Sequence, residues 1–87
     1  MKYWVRLDKE RIMADFDMED LRESSGMDSI YLTLQLRFLV QRGEAAFPAE
    51  DGDILHGEGK VKLTDSQGLS VYTPCIVIAP VGEVDNA

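Results

Sequence analysis

The sequence predicts an α+β fold: a mainly antiparallel sheet of about five strands with one short helix, in the order β-β-α-β-loop-β-β. Three observations predict it. Apolar residues occupy every second position from Ile30 to Val40. A further alternating run at 60–64 and a strand-like run at 69–79 flank the turn-forming Asp65-Ser66-Gln67-Gly68. A third run covers residues 2–7. Period two is the signature of a strand with one buried face.

At the N-terminus, Tyr3, Val5 and Leu7 alternate with Lys2, Trp4 and Arg6. Ile12, Ala14 and Phe16 alternate again after the polar Asp8-Lys9-Glu10, so residues 2–16 read as a β-hairpin. A single helix over 8–25 is the competitor. It would smear Ile12, Met13, Phe16, Met18 and Leu21 around the cylinder instead of forming a stripe. Asp17 to Glu23 reads as the short helix, with Asp17, Glu19 and Asp20 suited to its positive end. Ser24-Ser25-Gly26 closes it, Gly26 taking the left-handed cap.

The segment 29–41 reads as one long strand. Ile30, Leu32, Leu34, Leu36, Phe38 and Val40 would share one face, with Tyr31, Thr33, Gln35, Arg37, Leu39 and Gln41 on the other. Wound as a helix, Ile30, Leu34 and Phe38 would fall within about 80° of one another. Leu32, Leu36 and Val40 would lie opposite, leaving no clean polar side. Residues 44–59, with Pro48, three glycines and five acids, read as an extended loop with a brief strand or turn near 53–56. Lys60 to Thr64 and Leu69 to Ala79 are strands, and Pro74 marks an edge or a bulge in the second. The expected core is Val5, Leu7, Ile12, Phe16, Ile30, Leu32, Leu34, Leu36, Phe38, Val61, Leu63, Val71, Ile76 and Ile78. Residues 1–82 form one compact domain and 83–87 a flexible tail, since 87 residues are too few for two cores.

Composition narrows the function classes. The chain is 45% hydrophobic and 29% charged, as in a soluble globular domain. Sixteen acids against nine bases give a net charge of -7, which argues against unaided binding to nucleic acid or an anionic membrane. No apolar run approaches the roughly 20 residues needed to span a bilayer, and Lys2 and Arg6 interrupt any secretory signal, so a cytoplasmic location is expected. Cys75 alone allows neither an intrachain disulfide nor a cysteine-based zinc site.

No catalytic, cofactor-binding or metal-binding residue is predicted. His56, the only histidine, lies among Glu50, Asp51, Asp53 and Glu58 without a recognised ligand spacing. It reads as a solvated loop residue. Cys75 sits beside Ile76, Val77 and Ile78, where a thiol behaves as a small buried hydrophobe rather than a nucleophile. Gly57-Glu58-Gly59-Lys60 lacks the full phosphate-loop pattern and the strand-to-helix order it needs.

The remaining constellation is the second face of the long segment, Tyr31, Thr33, Gln35, Arg37, Leu39 and Gln41, joined by Trp4. An aromatic, an arginine and amides together have the composition of a protein interface. The leading expectation is therefore a small acidic, non-enzymatic interaction or accessory domain. Its partner would be another protein or a second copy, as a homodimer. Two alternatives are a small-molecule site between sheet, helix and the 44–59 loop, and an acidic, DNA-mimic-like antagonist of a nucleic-acid-binding protein.

Overall fold

The computed structural model describes residues 1–20 and 26–82, and side chains for 1–15 and 30–82. In chain order the elements are β1 (Lys2–Leu7), α1 (Lys9–Asp20), α2 (Gly26–Arg42) and β2 (Phe47–Glu50). A 3-10 turn (Asp51–Asp53), β3 (Ile54–Leu55), β4 (Lys60–Thr64) and β5 (Ser70–Pro80) follow. The five strands form one sheet in the order β2-β1-β5-β4-β3, and every neighbouring pair is antiparallel. The α+β class and the five-stranded antiparallel sheet are as the sequence predicts. The element order is not: two helices stand between β1 and β2 where a strand, a short helix and a long strand were expected.

The first correction is at residues 11–16, which lie in α1. Asp8 is not a hairpin connection but the residue that starts this helix. Its carboxylate accepts from the Arg11 amide at 3.3 Å and its carbonyl from the Ile12 amide at 3.0 Å. The expected short helix at 17–23 overlaps the end of α1 at 17–20, and residues 21–23 lie outside the described residues. Of the expected Ser24-Ser25-Gly26 cap, the serines also lie outside them, and Gly26 opens α2 instead of closing a helix.

The second correction is the largest. Residues 29–41 are helical, within α2. Leu34, Gln35, Phe38 and Leu39 are buried and Arg42 is half-buried, at the i, i+1, i+4, i+5, i+8 spacing of one helical face. Three others of the alternating set point away. Ile30 is 49% exposed, Leu36 40% and Val40 77%. The period-two pattern is thus two apolar stripes on one cylinder. Only Ile30, Thr33 and Val40 in this stretch are β-branched, and leucine, glutamine and arginine all favour helix. Gly43, at φ 58, ends α2 by donating to the Leu39 carbonyl at 2.7 Å.

The 44–59 segment is more ordered than a loop. The brief strand expected near 53–56 is β3, and β2 is an addition. β2 and β3 lie on opposite edges of the sheet, yet three residues join them. The sheet therefore curls until its edges approach. The Tyr3 ring of β1 then meets the His56 ring beyond β3 edge-on, with centroids 5.4 Å apart.

β5 is the strand that makes this curl possible, because it changes partners along its length. Ser70 to Pro74 pair with β4, and Cys75 to Pro80 with β1. Pro74 sits at the junction, in an interior strand rather than at an edge. There the Pro74 carbonyl accepts from the Asp8 amide, and Cys75 donates to the Gly59 carbonyl at 2.8 Å, so the missing proline N–H falls between two ladders. The register shift in β5 lies elsewhere. Between the pairs Val5–Val77 and Trp4–Ala79, Ile78 is the extra residue.

The core contains Val5, Leu7, Ile12, Leu34, Phe38, Val61, Leu63 and Val71 as predicted, with Leu39, Ile54 and Cys75 added. Ile30, Leu36, Ile76 and Ile78 are exposed and Leu32 is half-buried, contrary to the core expected of them. Phe16 lies outside the described side chains. The expected tail at 83–87 also lies outside the described residues. Among the described residues no helix is long and apolar enough to cross a membrane.

Candidate functional site

The seven residues grouped by sequence as an interface do not share a surface. Gln35 and Leu39 are buried on the inner stripe of α2 and cannot meet a partner. Tyr31, Thr33, Arg37 and Gln41 are exposed. The strand reading put all six on one face, and the 100° step of the helix separates them. Trp4 alone stands apart, on the solvent side of the sheet.

Around Trp4 the pleat assembles a patch that the sequence reasoning assigned elsewhere. β1 buries Val5 and Leu7 on its inner face, so Trp4 and Arg6 point outward. Cross-strand partners share a face, and these place Pro48 and the Ile78–Ala79 bulge beside Trp4, and Ile76 beside Arg6. Trp4 and Ile76 are each 38% exposed and Ile78 51%. At the far end Lys2 pairs with Glu50 at 3.7 Å across β1 and β2, both half-exposed. The alternating Ile76-x-Ile78 could have signalled this patch. Alternation from the buried Val71, Thr73 and Cys75 already turns both isoleucines outward, so the expectation that they join Val71 in the core went against the strand's own period.

A second region is a cavity of about 390 Å³ between the open edges of β2 and β4. β3 pairs only with Lys60 and Val61, so Lys62 and Leu63 carry a free edge facing β2. Arg42, the last residue of α2, reaches this opening with its guanidinium carbon 4.4 Å from the Phe47 ring centroid. Its Nε is buried and has no hydrogen-bond partner. Among the described residues no carboxylate lies in salt-bridge distance of Arg42 or Lys62. The sequence alternative of a pocket between sheet, helix and the 44–59 segment is where this opening lies.

The two groups with catalytic potential, Cys75 and His56, sit in different settings. Cys75 is buried on the inner face of β5, and burial pushes its thiol above the ordinary value. The Arg11 charge opposes that shift and Asp8 adds to it. His56 Nε2 lies 2.7 Å from Asp51 Oδ1, fixing the ring on the 3-10 turn and against Tyr3. Among the described residues no group of His, Cys, Asp and Glu is arranged to hold a metal ion.

Arg11 is the functional-looking residue that sequence reasoning missed. It leaves α1 to donate to the carbonyls of Glu58 and Gly59, 47 and 48 residues away. No local pattern encodes that contact. No protein-family profile, curated protein or solved structure matches the chain.

Proposed function

We propose that this chain is a non-enzymatic protein-interaction domain whose contact is the Trp4–Ile76–Ile78 patch on the outer face of the sheet. The observation that carries the reading is a tryptophan flanked by two isoleucines and an arginine on a solvent-facing pleat. Tryptophan and arginine dominate binding energy at interfaces, and a semi-exposed tryptophan gives up water over a large rigid surface on contact. The non-enzymatic part rests on the burial of Cys75.

The test is site-specific photo-crosslinking. A benzophenone side chain replaces Ile78 in the full chain expressed in its native cell, with Ser66 as the control position. A discrete crosslinked species at 78, absent at 66 and lost on Trp4→Ala, supports the reading. Its mass decides between a foreign partner and a second copy. A chain that crosslinks to nothing at 78 and stays monomeric at every concentration overturns it.

A further inference from the structure

We infer that the opening between β2 and β4 binds a small monocarboxylate with an apolar body, its carboxylate on Arg42 and Lys62 and its apolar part against Phe47 and Leu63. Trp4, Ile76 and Ile78 do not line this site, which meets their patch only at its margin through Lys2, Pro48 and Glu50.

The volume, about 390 Å³, lies within the range of small-ligand sites. The charges give the chemical class. Arg42 and Lys62 bring two cations to one cavity, and the Nε of Arg42 is buried there without a hydrogen-bond partner. Arg42 offers a planar fork suited to a carboxylate, and stacking on Phe47 holds that fork in place. The turn that ends α2 fixes the base of the arginine, since Ala45 donates to the Arg42 carbonyl at 3.2 Å.

The lining also gives the ligand's charge. Lys2, Arg42 and Lys62 face Glu50 and Asp53, which leaves one net positive charge. One carboxylate neutralises it, and a phosphate dianion exceeds it. Phe47, Ala49 and Leu63 supply the wall against which an alkyl or aryl group loses its water.

The experiment titrates the ¹⁵N-labelled full chain with phenylacetate, hexanoate, phenethylamine and inorganic phosphate. The two acids should shift the amides of Phe47, Ala49 and Leu63 saturably, and phenethylamine should not. Arg42→Gln should abolish the shifts. Because that change also removes the stack on Phe47, Lys62→Gln is the second variant, on an exposed side chain. It should weaken the acids about five- to tenfold with the spectrum otherwise intact. Absence of saturable shifts with both acids, equal binding of phenethylamine or phosphate, or unchanged affinity in Lys62→Gln each overturns the inference.

Discussion

The guanidinium of Arg11 and the backbone of Gly59 are built around one another. Nη1 donates to the Gly59 carbonyl and Nη2 to that of Glu58, each at 3.0 Å. The same Gly59 carbonyl accepts from the Cys75 amide at 2.8 Å. Gly59 sits at φ +65, and a Cβ there would lie 2.9 Å from Nη1. One arginine thus pins the β3–β4 turn to α1 at the point where β5 changes partners.

Gly59→Ala should therefore destabilise the fold by about 1–3 kcal/mol, combining left-handed backbone strain with the contact to Arg11. Arg11→Ala should cost about 1 kcal/mol, since its two bonds are solvent-exposed. In the double variant the combined loss should fall short of the sum by about 0.5 kcal/mol or more. Urea unfolding of the four proteins checks this, and strict additivity would show that the clash is absent.

Thr73 is fully buried and its Oγ1 has no hydrogen-bond partner. Thr73→Val keeps the shape and removes the unsatisfied hydroxyl, so it should stabilise the chain by about 1 kcal/mol. A rise of roughly 4–8 °C in Tm is the expected readout. A lower Tm would mean that the hydroxyl is satisfied in solution.

Phe38 and Val40 separate the helical from the extended form of residues 29–41. In the helix Phe38 is buried and Val40 is 77% exposed. Phe38→Ala should cost about 3–5 kcal/mol, whereas Val40→Ala should stay within about 0.5 kcal/mol of the parent. Comparable losses at both positions in denaturant titrations would return them to one face of a strand.

Burial raises the Cys75 pKa, so the folded chain holds the thiol proton more tightly than the unfolded chain does. The stabilisation is fully present below the ordinary value of 9.0 and is lost as pH rises through the higher folded value. The urea midpoint should accordingly fall more steeply above about pH 9 in the parent than in Cys75→Ala. Parallel slopes in the two proteins would place the thiol in water.

Much of the sheet is legible in the residues themselves. Residues 2–7 and 60–64 alternate, 70–80 reads as a strand, and Asp65 closes the turn between the last two by accepting from the amides of Gln67 and Leu69. These features are local, so the sequence carries them. The helical start at Asp8 was also present as an N-cap residue, but the weak alternation of Ile12, Ala14 and Phe16 obscured it.

Binary pattern alone determined that this chain builds an antiparallel α+β core with Trp4 opposite Tyr3, Val5 and Leu7 on its first strand, and only the fold left that tryptophan in solvent. Only tertiary packing decided that Ile30 to Val40 winds into a helix, because the strand reading gathers all six alternating residues on one face, the helix splits them into two stripes, and which of these faces finds a partner depends on the rest of the fold. In the fold, the inner face of the curled sheet takes Leu34, Phe38 and Leu39 and leaves Leu36 and Val40 in water. Packing likewise brought Arg42 to Phe47 and Arg11 to Gly59. Contacts between residues far apart in the chain depend on how the sheet curls, and no short-range spacing records that curvature.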